Sequence, residues 1–536
     1  MQLHKNWITP RRISTTLFFG GLLLLGLLLH RDYGMGCDEP LEREAGYLSL
    51  RYVAQRIAPQ LLETRHLTGL AELRTYRDAD HGVAFQLPMA VIETAFFRHN
   101  LQGAYWLRHL LCFGTFVLGV WAVYRLGTDR FGSWRWGMLS AVVMVLSPRI
   151  FAEAFYNYKD LVFMSLFAVG GLTLTRLLRR PTAGRAATHA LITALATDVR
   201  IMGLMLPVLT ICFGVLEMWA QPSRRLAMAR TLALYVAATG PLVVLFWPYL
   251  WDAPVQRLWE CFNSYSHYRQ TMQVFYLGKM VSCQRLPWHY LSVWLIVTTP
   301  VSYTLLFLGG AVSTLREFLR RQQEFIKDVA GRSDLLFGAW CLGPLAFIAL
   351  NNSAVYDGWR HVYFIYPAFV LLAVRGLSAG VHAWQTAPLA SARRQLGIGA
   401  AALLAAATAH TIARQVADHP YQCAYFSFLP GSVVESLFER DYWGISARDG
   451  LAWVLAHDNR SNVTISDTLN SKLFISNNAL LLPSNDQARL RFVSNARADY
   501  FFGMYRWHPE AYDASYGTPI HEIRVAGLPI LTVFRR

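Results

Sequence analysis

Charge is scarce in this chain. Asp, Glu, Lys and Arg make up 16% of its 536 residues, against about 25% in an ordinary soluble domain, which excludes a disordered chain and argues against a soluble enzyme of this length. Cysteine is sparse as well: there are seven, no two in a CxxC pair, so neither a zinc ribbon nor a thioredoxin-type site is expected. No His-Glu-x-x-His segment occurs to put two imidazoles on one helix face, and no internal repeat of the transporter kind is evident. Apolar and aromatic residues fill the space, at 54% of the chain with 17 Trp, 25 Tyr and 31 Phe, and the mean hydropathy is +0.27. A polytopic membrane protein follows, since each span needs about 20 apolar residues and the interfaces collect aromatic rings.

The formal net charge of +16 is spread in small groups between the apolar runs: Arg11/Arg12, Arg125/Arg130/Arg135, Arg176/Arg179/Arg180/Arg185, Arg224/Arg225/Arg230, Arg316/Arg320/Arg321/Lys327/Arg332 and Arg375/Arg393/Arg394. That is a positive-inside pattern and not one basic face, so no nucleic-acid partner is expected. With those groups cytoplasmic, about eleven spans thread the membrane near residues 15–30, 104–124, 136–147, 161–176, 187–197, 202–219, 231–249, 289–309, 335–350, 361–375 and 395–413. The N-terminus is then cytoplasmic and the C-terminus extracytoplasmic. A signal peptide ending at Cys37 is the competing reading of the first run, but His30-Arg31-Asp32 separates the apolar core from interrupted small residues at Gly34-Met35-Gly36, a poor cleavage geometry. The fifth and sixth runs are short and meet at Ala196-Thr197-Asp198-Val199-Arg200, where two tilted or broken helices are expected beside a cavity.

Three outer segments remain, at about 31–103, 250–288 and 414–536. In the first, Leu41, Ala45, Leu48, Tyr52 and then Leu87, Val91, Ala95 recur every three or four residues, the pattern of surface amphipathic helices. In the last, a helix over Ser446 to Asp458 and strand-like stretches at Asn462 to Ser466, Leu490 to Ser494, Tyr500 to Tyr505, Ile520 to Val525 and Leu528 to Phe534 imply a small mixed α/β domain. The division is a membrane module at 1–413 with an outer first loop at 31–103, and an extracytoplasmic domain at 414–536.

Acids gather on the outer side. Asp38 and Glu39 directly follow the first span, in Cys37-Asp38-Glu39-Pro40, where helix N-capping is the plain alternative to chemistry. A second group, Glu153, Asn157, Lys159 and Asp160, lies between the third and fourth spans, costly at that depth unless it lines a polar cavity or reaches the headgroups. An Asp-Glu pair after the first span, a large outer first loop, about eleven spans and an outer C-terminal domain resemble the GT-C superfamily of membrane glycosyltransferases. Within it the chain is most similar to family 39-like enzymes, the protein mannosyltransferase and aminoarabinose transferase relatives. Asn157-Tyr158-Lys159-Asp160, Pro287-Trp288-His289-Tyr290, Tyr356-Asp357-Gly358-Trp359-Arg360-His361, His419-Pro420-Tyr421-Gln422 and Asp441-Tyr442-Trp443-Gly444 read like further stretches of that group. Phe85-Gln86-Leu87-Pro88 stands where a His-x-Pro-Pro-like motif is absent from the first loop.

The resemblance implies transfer of a sugar from a polyprenyl-phosphate donor to a hydroxyl acceptor of the envelope, inverting, at the outer face of a bacterial plasma (inner) membrane, among membrane lipids and without a metal or other cofactor. It implies Asp38 as the base that takes the acceptor proton, with Glu39 supporting it. Phosphate leaves as a stable anion, so one carboxylate and a set of cations suffice, whereas a glycosidase needs a second carboxyl as acid. The cations in outer loops or helix ends are Lys159, Arg200, Arg269, Lys279, Arg285 and Arg360, with His361 beside them; Tyr356, Asp357, Arg360 and His361 rank first because they crowd one short turn, and Arg200 next, with Asp198 as its expected ion-pair partner. Cys261 and Cys283 share one outer loop and are a possible disulfide pair. A lipid or solute transporter, or a noncatalytic envelope-assembly protein, is the alternative class, disfavoured because the acids and both sizeable outer segments gather on one side. The topology is checked by reporter fusions: one at Arg320 is expected in the cytoplasm and one after Arg536 outside, and both on the same side would overturn the alternation.

Overall fold

The computed structural model describes residues 9–64, 67–266, 272–386, 391–468, 473–494 and 498–536, without the side chains of 64, 265–266 and 391–394. Local chemistry sets the helix ends. The Thr9 hydroxyl accepts from the Arg12 amide at 3.4 Å ahead of α1 (Pro10–Leu29), and Pro10 occupies the first turn, where no N–H is required. The first loop folds into α2 (Glu39–Ile57), α3 (Gln60–Thr64) and α4 (Gln86–Phe96), with α2 packed on α4. Asn100 caps α5 (Leu101–Phe131), accepting from the Gly103 amide at 2.8 Å, and Gly132 at φ +66° ends it. At 31 residues α5 is about 46 Å long, more than the hydrocarbon thickness, so it must tilt or protrude.

Next come α6 (Trp134–Val145) and α7 (Pro148–Tyr156), bent by 71° at Pro148, then α8 (Asp160–Arg179), α9 (Ala183–Val199), α10 (Met205–Ala220) and α11 (Arg225–Phe246). Between α9 and α10 the chain breaks at Arg200 into a short 3-10 turn, Ile201–Leu204. Helix α12 (Pro254–Ser266) and the antiparallel hairpin β1 (Gln273–Tyr276) with β2 (Lys279–Ser282) precede α13 (Tyr290–Thr298), α14 (Val301–Arg321), α15 (Gln323–Lys327), α16 (Val329–Asn351), α17 (Tyr366–Thr386) and α18 (Ser391–Ala417).

Eight helices among the described residues are long and apolar enough to cross a membrane, nine with the bent α6–α7 pair as one span, where eleven were expected. Helix α9 has only 17 residues, and α14 carries Arg316, Glu317, Arg320 and Arg321 in its last turns. The expected span at 289–309 is two helices, because Pro300 has no N–H to continue α13. Cys261 and Cys283 are both buried and no disulfide joins them, which corrects the disulfide expectation.

The tail begins with α19 (Gly431–Leu437), α20 (Ala447–His457), β3 (Val463–Asp467), α21 (Leu473–Ala479), α22 (Ser484–Arg489), β4 (Leu490–Phe492), β5 (Tyr500–Met504), β6 (Thr518–Val525) and β7 (Leu528–Arg535). Its five-stranded sheet has the order β4-β3-β5-β7-β6; β3 runs parallel to β4 and β5, and β7 antiparallel to β5 and β6. Helix α20 covers one face, with Leu531 and Phe502 against Gly450. The tail also grips the segment before α2: the Met35 amide donates to Asn478 Oδ1 at 2.8 Å and the Cys37 amide to the Trp443 carbonyl at 3.1 Å.

Two glycines set the closest helix approach. A Cβ at Gly310 would lie 1.9 Å from the Leu372 carbonyl oxygen and one at Gly376 2.0 Å from that of Leu306, so α14 and α17 pack backbone to backbone. Gly376→Val is expected to lower the melting temperature in detergent, with overpacking costing about 1–3 kcal/mol. The same change at Gly380, which has nothing within 4 Å, should leave it unmoved; equal effects would contradict the packing.

Candidate active site

A cavity of about 250 Å³ opens at the end of the bundle where α2, α8, the Arg200 break, the turn before α17 and the tail converge. Asp38 stands at its wall. The residue occupies the N-cap position of α2, yet its side chain caps nothing. Its carboxylate instead accepts from Arg360 Nη1 at 2.9 Å and is 39% exposed, against 3% for the Arg360 side chain. The capping reading therefore fails here on geometry, and the most accessible carboxylate of this cluster faces the cavity.

Arg360 is held from behind. Asp357 and Gly358 both take positive φ, +55° and +71°; a left-handed Asp is tolerable because its short polar chain bonds locally. That turn sets Asp357 Oδ2 2.9 Å from Arg360 Nη2, and Asp160 Oδ2 lies 3.5 Å from Nη1. Arg506, from the segment after β5, donates to both oxygens of Asp357 at 2.8 Å, and its other nitrogen donates to the Tyr442 carbonyl at 3.0 Å. Asp38, Arg360, Asp357 and Arg506 thus form one alternating chain of charges. Arg360 also lies over the rings of Tyr356, 4.9 Å away, and Trp443, 4.8 Å away.

Other cations border the cavity. Lys159 Nζ pairs with Glu42 Oε1 at 2.8 Å. Arg200 pairs with Asp160 and not with Asp198, which accepts from the Val83 amide at 2.8 Å. Tyr356 and His361 meet edge to face, 4.5 Å apart, and both line the cavity. Glu39, Glu153 and Asn157 do not line it. Glu39 turns back to accept from the Gly36 amide at 2.7 Å, from His109 Nε2 at 3.1 Å and from the Tyr158 hydroxyl. Glu153 is enclosed by Tyr363, Tyr442 and Asn157, which donate to it at 2.7, 3.0 and 2.9 Å. Asn157 also donates to Asp160 Oδ2 at 3.1 Å, so this group braces the floor. Lys279 and Arg285 are exposed away from the cavity, and Arg269 lies outside the described residues.

Arg506, Glu42, Asp78 and His81 also line the cavity, and none of them was expected there from the sequence. Tyr76-Arg77-Asp78-Ala79-Asp80-His81 is visible as a polar cluster, but nothing near Arg506 points to the membrane module. Burial raises the proton affinity of Asp78 despite Lys159 and Arg77, and burial beside Asp357 raises that of Glu439, whose Oε1 accepts from the Phe275 amide at 3.1 Å. For Asp38, burial pulls the same way, but Arg360, Arg506 and Lys159 overcome it and hold the carboxyl below its ordinary range. Among the described residues no group of three or more His, Cys, Asp or Glu is placed to hold a metal ion; the positive charge here comes from guanidinium and ammonium groups.

No family model matches the chain, and no curated protein sequence matches it. Solved structures do. ArnT from Cupriavidus metallidurans in the apo state is 11% identical, with a TM-score of 0.50 over 97% of this chain and 98% of that one. The same protein bound to undecaprenyl phosphate is 13% identical, with a TM-score of 0.48 over the same shares of the two chains. The chain therefore shares the fold of that protein, a polytopic helical membrane module with a small α/β domain after it.

The charge chain makes the Asp38 titration depend on the tail. Its lowered proton affinity keeps the carboxylate form as pH falls through the ordinary Asp range near about 4. Arg506→Gln removes one of the cations responsible, so protonation should begin at higher pH. Infrared difference titration against Asp38→Asn reads this directly, and an unshifted Asp38 band in Arg506→Gln would disconnect the tail from the cavity.

Proposed function

We propose that this protein transfers a sugar from a polyprenyl-phosphate donor to a hydroxyl acceptor at the outer face of a bacterial inner membrane. The observation that carries the reading is Asp38, an open carboxylate 2.9 Å from a buried Arg360, in a cavity that Lys159 and Arg200 also line. A lipid-linked donor keeps its tail in hydrocarbon and presents its phosphate at headgroup depth, where this cavity lies if the Arg clusters face the cytoplasm. The acceptor oxygen attacks the sugar C1 as the C1–O bond to phosphate breaks. Asp38 takes the hydroxyl proton, and the phosphate leaves with the bonding electron pair, its charge stabilised by Arg360 and its neighbours. Attack opposite the leaving group inverts the anomeric centre.

The fold similarity to ArnT is compatible with this chemistry but does not select the sugar. Arg and Lys suit the phosphate differently: Arg360 offers a planar fork, Lys159 a mobile point charge. Glu39, Glu153 and Asn157 act in this reading as supports for the walls and not as groups in contact with substrate.

Asp38→Asn, expressed at normal level in membranes supplied with a polyprenyl-phosphate sugar, is expected to lose transfer by about 10²–10⁴-fold, the scale of a positioned base. Asp78→Asn should retain most of it, and the reverse order would move the base to Asp78. Arg360→Ala should slow donor turnover by a factor matching about 3–4 kcal/mol, as for one oxyanion donor, while Arg320→Ala at the other end of the bundle should not. Full transfer by Asp38→Asn would sink Asp38 as the base, and no transfer by the wild-type protein from a polyprenyl-phosphate sugar would sink the proposal.

A further inference from the structure

A second polar cavity, about 210 Å³, lies at the opposite end of the bundle from Asp38. Lys159 leads into α8 at the first cavity and Arg179 ends the helix at the second, so the two cavities are about 30 Å apart along the helix. Its walls come from the ends of α8 and α10, the Gln221–Arg224 connection and the start of α16. Arg179, Arg224, Arg332, Glu217, Gln221 and Ser333 supply its polar groups.

The charges there do not cancel. Glu217 Oε2 pairs with Arg332 Nε at 2.8 Å, and Arg332 Nη1 donates to the Ile326 and Lys327 carbonyls at 2.7 Å, which fixes that guanidinium. Arg179 donates to the Asp129 carbonyl at 2.9 Å and lies 3.6 Å from the Asp129 carboxylate. Arg224 donates to the Arg179 carbonyl at 3.1 Å, and among the described residues no carboxylate lies within ion-pair distance of it. One arginine is therefore left uncompensated, and Arg180, Arg185 and Arg225 add to the same field. Such a site favours a phosphate-bearing anion.

The surroundings point to a lipid as the carrier of that phosphate. Trp219, Leu226 and Val329, next to the cavity in sequence or on its wall, are 44%, 63% and 46% exposed. They belong to helices long and apolar enough to cross the membrane, so their exposed apolar surface offers acyl chains a place beside a polar pocket at headgroup depth. The pocket holds about seven water volumes, more room than one bound water requires. Basic pockets of this kind between helices select anionic headgroups.

We propose that this cavity binds the phosphodiester headgroup of an anionic membrane lipid in the leaflet opposite the Asp38 cavity. It is independent of the transfer reaction and stands whether or not that reaction is correct.

The test is native mass spectrometry of the full-length protein equilibrated with vesicles of equimolar phosphatidylglycerol and phosphatidylcholine. Wild type should retain phosphatidylglycerol over phosphatidylcholine by about fivefold or more, the scale of one arginine near a charged surface. Arg224→Gln and the Arg179→Gln/Arg224→Gln double variant should lose that preference stepwise, and Arg320→Gln, which removes the same charge away from the cavity, should keep it. Equal retention of the two lipids by wild type, or an unchanged preference in the double variant, would overturn the proposal. Displacement of phosphatidylglycerol by millimolar inorganic phosphate would overturn the lipid assignment and make the cavity a free-phosphate site.

Discussion

Burying a charge without a partner costs more than most single contacts return, and this molecule resolves that cost by alternation. Asp38, Arg360, Asp357 and Arg506 come from the first loop, the turn before α17 and the tail, and each link is 2.8–2.9 Å. The ends differ in kind. Arg506 is anchored on backbone and is 6% exposed, whereas Asp38 is 39% exposed. Removing an inner member takes a partner from the charge on each side of it, so the chain ties together three regions far apart in sequence.

The membrane module makes room for that chain by interrupting its helices. Pro148 bends α6 into α7, Arg200 breaks α9 from α10, and a 3-10 segment, Arg360–Ile365, precedes α17. Each interruption brings polar residues to the same end of the bundle, where neighbouring protein groups satisfy them; exposed to lipid, the same backbone would be costly. At other places the helices are free to close up completely, as Gly310 and Gly376 allow for α14 and α17.

Much of the fold was legible because it follows from periodicity. Apolar runs and Arg groups marked the helical segments, and alternation placed β3 to β7 within one or two residues at most ends. Counting spans was less secure, since α9 and α14 are short or polar at one end and Pro300 divides a run that looks continuous. At the cavity, local clustering marked the Tyr356–His361 turn, because it concentrates polar groups beside apolar helices, whereas Asp38 was singled out by the resemblance and not by spacing. Pairings were not legible. Arg200 sits two residues from Asp198 yet reaches Asp160, and Arg506 lies 149 residues from Asp357. Ion pairs of this sort are set by tertiary packing, on which spacing along the chain carries no information.

The chain also bears on how a carboxyl with lowered proton affinity could serve as a base in the proposed transfer. A departing phosphate needs the same guanidinium that Asp38 holds. Phosphate and Asp38 then compete for Arg360, and any share the phosphate gains weakens the first-named of the cations that keep Asp38 ionised. Asp38 becomes a better proton acceptor as the donor settles, while Asp357 and Arg506 keep the Arg360 side chain from following the phosphate outward. In the proposed transfer, donor binding and activation of the base would be one event, with the buried half of the chain holding Arg360 while the open half changes partners.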